Sequence, residues 1–227
     1  MSMPAGVELK PQGYYEGSRQ DLRNLIPADA RIVLDVGCGR GALGAALKLD
    51  RPDVRVHGLE YVPDAAAVAA ERLDDVFVAD LDVLEAVPAH WEQFDAIVCG
   101  DVLEHLRDPA RVLRVLHGTL APGGVIVASI PNIKHWTVLY PLLVHDRFRY
   151  EDAGLLDRTH VHFFTLEEID VMFTACSLKV QSLAAVVYEM PPQLAPLLTA
   201  AVALGADRTE TAARLSAYQY LVVASAA

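Results

Sequence analysis

Cysteine is scarce in this sequence. Cys38, Cys99 and Cys176 are the only three, widely spaced and odd in number, which argues against a disulfide framework and for a reducing compartment. Positive charge is also short. Lys and Arg total 19 against 30 Asp and Glu, a formal net charge of -11, so nonspecific nucleic-acid binding is not expected as the main task. No apolar run approaches the length of a membrane span, and the opening MSMPAGVELKPQG has no apolar targeting stretch. Internal repeats and low-complexity linkers are missing as well. What remains is a chain of 227 residues, 53% hydrophobic, punctuated by 14 Gly and 13 Pro. That composition suits one packed domain over residues 1–227, in a cytoplasmic protein without membrane insertion.

Apolar runs alternate with helical spacing along the first two-thirds. RIVLDVG reads as a buried strand, and VRVHGLE, DVFVAD, FDAIVCG and VIVASIP as four further strands. Between them, RGALGAALKLD and PDAAAVAAERL have helical composition, and DPARVLRVLHG starts with Asp108 as a cap and Pro109 at the first helical position. Pro122, Gly123 and Gly124 make a turn into the fifth strand. The alternation predicts an α/β fold with a doubly wound, mostly parallel sheet. Residues 132–164 break the rhythm with an irregular aromatic stretch holding His135, His145, His160 and His162. Thr165 and Glu168 then have the spacing of a capping box. Two stretches rich in β-formers, LKVQSLAAVVYEM and AYQYLVVASA, flank a helical segment and read as a final, antiparallel strand pair.

The chemistry starts at VLDVGCGRGALG, Val33 to Gly44. Glycines after a parallel strand let the backbone approach a ligand closely. Gly37, Gly39 and Gly44 approximate a dinucleotide fingerprint, whereas Asp35 followed by Gly37, Cys38 and Gly39 suits a methyl donor whose ammonium group needs an anion. Glu60, ending the second strand, is placed for ribose hydroxyls in either case. Asp80 and Leu81, ending the third strand, offer an acceptor and an apolar contact for adenine. Gly100 to Leu106, ending the fourth, would face the first strand across a cofactor crevice. Successive strand ends carrying such groups are hard to explain as helix caps.

From Ile32 to about Leu183 the sequence resembles the class I S-adenosylmethionine-dependent methyltransferases, in the small-molecule group marked by DVLEHL with a following DP, PGG, SIPN and GLLDRTH before FFT. The resemblance implies a seven-stranded Rossmann-like sheet whose last strand is antiparallel. It also implies S-adenosylmethionine as cofactor and a small-molecule acceptor, and the net charge of -11 leaves no nucleic-acid partner expected. By position, Asp35, Gly37, Cys38 and Gly39 would line its methionine part. Glu60 and Tyr61 would meet ribose and adenine, Asp80 and Leu81 the adenine, and Gly100, Asp101, Val102 and His105 the sulfonium side. Tyr14, Tyr15 and Arg19 lie on an N-terminal segment, about residues 1–30, expected to fold over the cofactor.

Methyl transfer to oxygen requires alignment and a base near neutral pH. His105 is the first candidate. Asp157, Arg158 and His160 form a second set in the expected substrate lid, 132–164, where Lys134, His135, Arg147 and Arg149 gather positive charge. Arg158 could clamp a carboxylate or phosphate, or could pair with Asp157 to close the lid. Asp101, Glu104 and His105 could hold a divalent ion, as the resemblance to some quinone O-methyltransferases implies, though a metal is not favoured. The expected activity is O-methylation of a sugar, glycan precursor or secondary metabolite. An NAD-dependent oxidoreductase and a non-catalytic cofactor-binding scaffold are the competing readings.

Overall fold

The computed structural model describes residues 18–227. Its centre is a seven-stranded sheet in the order β3-β2-β1-β4-β5-β7-β6. The strands are β1 (Ile32–Val36), β2 (Arg55–Glu60), β3 (Asp75–Val78), β4 (Phe94–Gly100), β5 (Leu120–Pro131), β6 (Leu178–Val187) and β7 (Ala217–Ala226). β7 alone runs against its neighbours, pairing antiparallel with both β5 and β6. The doubly wound α/β sheet with its last strand antiparallel is therefore as the sequence predicts.

Helices α1 (Gln20–Arg23), α2 (Ala42–Asp50), α3 (Pro63–Ala70), α4 (Pro109–His117), α5 (Trp136–His145), α6 (Leu166–Ala175), α7 (Ala195–Ala203) and α8 (Arg208–Ser216) complete the described residues. Side chains alternate across a strand, so neighbouring residues serve opposite cores. Val33 packs with Leu22, Leu43 and Leu47 on one face, and Leu34 packs with Phe94, Leu113 and Phe173 on the other. Both faces of the central strands β1 and β4 are covered, which explains their unbroken apolar runs, whereas the edge strands β3 and β6 are largely exposed. Asp108 accepts from the Arg111 main-chain N–H at 2.8 Å to start α4, and Thr165 and Glu168 form the capping box of α6.

Two local readings change. β5 begins at Leu120, earlier than the Val125 expected, and takes in the Pro-Gly-Gly turn. Gly123 adopts φ +82° there, and the pairing with β4 shifts register between Phe94 and Ala96 to absorb the extra residues. The irregular stretch after β5 contains a helix, α5. Its sequence WTVLYPLLVH is apolar nearly all round and includes Pro141, so it shows neither a helical stripe nor an uninterrupted run.

Candidate functional site

Strand order reverses between β1 and β4, where β2 and β5 lie on opposite sides. Open α/β sheets bind ligands beyond the carboxyl ends of such strands. A cavity of about 530 Å³ lies there, within the range of small-molecule and cofactor sites.

Its floor is the turn after β1. The N–H groups of Gly37 and Cys38 both donate to the Leu59 carbonyl, at 2.8 and 3.0 Å, tying the turn to β2. Gly37 takes φ +67°, and a Cβ there would stand 2.7 Å from Val102 Cγ2. This glycine is required both by its backbone and by the close approach of the β4 loop. Gly44 is different: a Cβ would meet Leu73 at 2.5 Å and Val56 at 2.7 Å, so it packs α2 on the sheet and does not touch the cavity.

Two buried carboxylates flank the turn. Glu60, 6% exposed, accepts from the Gly39 N–H at 2.7 Å and the Val62 N–H at 2.8 Å. Asp35, 4% exposed, lines the cavity, and its Oδ2 has no hydrogen-bond partner among the described residues. Burial, and then the charge of Glu60, raise its carboxyl to about 7. A cation beside Asp35 would relieve that cost. Burial, and then Asp35 and Glu60, push the Cys38 thiol far up, so it is not a nucleophile at neutral pH.

Beyond β4 the chain turns sharply at Asp101, a non-glycine residue at φ +56°. The strained backbone is over-determined by its partners. Ser129 Oγ accepts from the Asp101 N–H at 3.0 Å and donates to Oδ1 at 3.1 Å. Gln219 also donates to Oδ1, and Arg19 forms an ion pair with Oδ2. Arg19 reaches over from the segment before α1 and is itself gripped by Asp21 at 2.9 Å.

After Asp101 a 3-10 turn, Leu103–His105, carries His105 into the cavity wall. The Glu104 carbonyl accepts from the N–H groups of Val161 and His162, at 2.9 and 3.1 Å, so the connection before α6 is clamped onto this turn. His105 and His160 meet edge to face with ring centroids 4.7 Å apart. His160 Nδ1 donates to the Leu155 carbonyl at 3.3 Å, and its Nε2 is 4.0 Å from Glu104 Oε1. Glu104 is 1% exposed, and neither carboxylate oxygen has a hydrogen-bond partner among the described residues. Burial, and then the charge of Asp101, hold its carboxyl well above the ordinary range.

The cavity gathers Arg19, Asp35, Gly37, Cys38, Gly39, Glu60 and Tyr61 with Asp80, Leu81, Gly100, Asp101, Val102 and His105. These are the expected cofactor residues, save Tyr15, which lies outside the described residues together with Tyr14. The expected catalytic set divides. His105 lines the cavity, and His160 and Asp157 are buried against that wall. Arg158 is half exposed and pairs with Asp152 at 2.5 Å. Ligand atoms of Glu104, His105 and His160 lie within 4.8 Å of one another, a grouping in which His160 takes the place the sequence reading gave to Asp101. Sequence reasoning missed Thr159, which lines the cavity beside His105. Its signal was its place in the DRTH stretch, masked by the charged residues around it.

Residues 34–126 match the family model of a methyltransferase domain. Over these residues the chain is similar to methyltransferase domains. A ubiquinone biosynthesis O-methyltransferase from Psychrobacter arcticus is 34% identical over 167 residues, covering 70% of this chain and 63% of that protein. The chain thus spans less than two-thirds of the length of that curated relative. Among solved structures, an S-adenosylmethionine-dependent methyltransferase from Mesorhizobium loti aligns at a TM-score of 0.57 and 21% identity, covering 90% of this chain and 95% of that one. The plantazolicin methyltransferase, solved with S-adenosylhomocysteine, aligns at a TM-score of 0.60 and 14% identity, covering 91% and 80%. The described residues therefore share the fold of these two methyltransferases, as the sequence resemblance implies. No helix among the described residues is long and apolar enough to cross a membrane.

Proposed function

We propose that this chain binds S-adenosylmethionine in the cavity beyond β1 and β4 and methylates a hydroxyl oxygen of a small molecule. The carrying observation is the unpartnered, buried Asp35 Oδ2 beside the Gly37 turn. It favours a ligand that brings a cation to a glycine cradle. When bound, S-adenosylmethionine supplies a methyl group on a positively charged sulfur. Asp35 balances the cofactor's positive charge, the lone pairs left on Glu60 accept from ribose hydroxyls, and Asp80 with Leu81 serves the adenine end. Arg19 and Tyr61, with the Asp101 loop, close the pocket around it. His105 takes the proton of the acceptor hydroxyl as its oxygen becomes the nucleophile. The DRTH segment clamped on the 3-10 turn forms the acceptor wall of a lid spanning 132–164.

The same geometry disfavours a nicotinamide dinucleotide. A pyrophosphate needs free backbone donors at the turn into the helix. Here the Gly39 N–H is already given to Glu60, and a second carboxylate, Asp35, lies beside it. Two anions at the turn would repel a third.

An oxygen acceptor is favoured by the base and by the name of the Psychrobacter relative. Phenolic ring hydroxyls, as in quinone precursors, lead the candidates because they ionise more readily than alcohols. Sugars, glycan precursors and secondary metabolites complete the panel. Calorimetric titration with S-adenosylmethionine and NAD, then mass-spectrometric screening for a gain of one methylene, tests the assignment. Binding of NAD alone would sink it. With a responsive acceptor, His105→Ala is expected to slow transfer about a hundredfold; an unchanged rate removes His105 as base.

A second reading keeps the reaction and adds a divalent ion. Glu104, His105 and His160 offer a carboxylate and two imidazoles, a donor set fit for a first-row metal. Chelation followed by readdition of magnesium, manganese or zinc separates the two: loss and recovery of transfer favours the ion, and an unchanged rate favours the direct base.

A further inference from the structure

The connection between α5 and α6 places a hydroxyl against His105 that no motif assigns. Thr159 Oγ1 donates to Asp157 Oδ1 at 2.7 Å and lies 3.1 Å from His105 Nδ1. The Thr159 main-chain N–H donates to the same Asp157 oxygen at 2.9 Å, a local turn that fixes the hydroxyl's direction. Asp157 is 2% exposed, so this arrangement is held away from competing water. A hydroxyl has one proton to give, and here Asp157 takes it. Toward His105 the Thr159 hydroxyl can only accept. The Thr159 carbonyl, 3.1 Å from the same ring nitrogen, is also an acceptor. Two acceptors at Nδ1 require an N–H there. In the neutral ring the basic lone pair must then be on Nε2.

We infer that Asp157 and Thr159 are positioning residues that select the Nδ1–H tautomer of His105 and so present Nε2 as the proton acceptor. Their catalytic consequence rests on the reading of His105 as base. In the step they serve, the acceptor's O–H proton passes to Nε2 and its oxygen bonds to the methyl carbon. The carbon–sulfur bond breaks with its electron pair remaining on sulfur. His105 becomes positively charged, and Asp157 stabilises that charge through the intervening hydroxyl. This differs from the lid-closing role that Asp157 would have if it merely paired with Arg158. It also gives Thr159, an uncharged residue lining the cavity, a role of its own.

Isotope-edited NMR of the histidine ring nitrogens in the intact chain, slightly above neutral pH, tests the tautomer directly. The His105 signals are assigned by their loss in His105→Ala. The wild type is expected to carry its proton on Nδ1; a proton on Nε2 overturns the inference whatever the acceptor proves to be. Asp157→Asn keeps an oxygen for the Thr159 N–H and hydroxyl and is expected to retain Nδ1–H, whereas Asp157→Ala frees the hydroxyl proton to turn toward His105 and is expected to raise the Nε2–H population. Thr159→Ser keeps the acceptor and is expected to match the wild type. Thr159→Val removes the hydroxyl and leaves only the main-chain carbonyl on Nδ1, and is expected to raise the Nε2–H fraction while Nδ1–H stays the major form.

The kinetic arm uses catechol and nitrocatechol, the latter already ionised under the same conditions. Thr159→Val is expected to lower kcat on catechol about tenfold, with less than a twofold loss on nitrocatechol and near-full recovery in Thr159→Ser. Equal losses on both acceptors would mark Thr159 as merely structural and overturn its positioning role. If His105→Ala keeps its rate while the wild-type ring is protonated on Nδ1, the base reading fails and the tautomer assignment stands.

Discussion

The substitution Asp35→Asn is expected to make the ligand-free chain more stable and its hold on S-adenosylmethionine weaker. Burial, with the charge of Glu60, raises the Asp35 carboxyl from 3.8 to about 7. At about 1.4 kcal/mol per tenfold change in proton affinity, ionising it inside the fold costs about 4 kcal/mol relative to the unfolded chain. Because the folded value is the raised one, the stabilising contribution is complete below about pH 4 and is lost as pH climbs to about 7. An asparagine side chain has a similar shape and never ionises. The variant's advantage over the wild type therefore grows through that window and is constant above it. An amide with unmet hydrogen bonds returns about 1–2 kcal/mol of this. The net gain of about 2–3 kcal/mol at about pH 8 corresponds to a melting temperature higher by about 5–10 °C. Other titrating groups are common to both proteins and cancel in the comparison. Thermal unfolding at about pH 5 and about pH 8, with calorimetric titration of the cofactor, measures both sides. The wild-type affinity is expected to rise with pH up to about 7, whereas the variant binds at least tenfold more weakly at about pH 8 and loses that dependence. A variant that melts no higher than the wild type at about pH 8, or binds the cofactor equally well, would refute the reasoning.

Gly37→Ala combines a left-handed backbone at φ +67° with a Cβ 2.7 Å from Val102; a loss of at least tenfold in cofactor affinity is expected by titration, and unchanged affinity would show that the β4 loop yields freely. Phe173→Ala empties a fully buried site between α6 and the sheet, and chemical denaturation is expected to show a loss of about 3–5 kcal/mol, with cofactor affinity at saturating fold stability unaltered.

The central strands were legible because burial on both faces makes their sequences continuous apolar runs, and the exposed edge strands β3 and β6 were legible from their β-forming residues. Val33 and Leu34 serve opposite cores, so no polar alternation interrupts β1. The acidic residues at strand ends were legible for a related reason: a carboxylate closing an apolar run has no packing role. Asp35 and Glu60 both line the cavity on that account. Helix α5 was not legible. Its apolar residues surround the axis, and Pro141 lies inside it, so periodicity had nothing to report. It is held from outside its own sequence, with the Trp136 indole N–H donating to the Tyr188 carbonyl at 3.1 Å.

The cavity wall around His105 was legible in its residues and not in its grouping, because distant segments decide which side chains face one another. Asp101, Glu104 and His105 are neighbours in sequence, and that spacing with the resemblance to some quinone O-methyltransferases suggested one constellation. The left-handed turn at Asp101 breaks it up. Ser129 from β5, Gln219 from β7 and Arg19 from before α1 all draw on the Asp101 carboxylate. A left-handed non-glycine residue costs about 1–2 kcal/mol, and these charge-assisted bonds more than offset it. The carboxylate is thereby committed to closing the cavity on the N-terminal side. Glu104 and His105, on the following turn, instead meet His160 and Thr159, more than fifty residues away and fastened by the bonds from Val161 and His162 to the Glu104 carbonyl. One strained residue thus separates two tasks of the proposed reaction, with the cofactor's enclosure assigned to its own side chain and proton transfer to the ring four positions later.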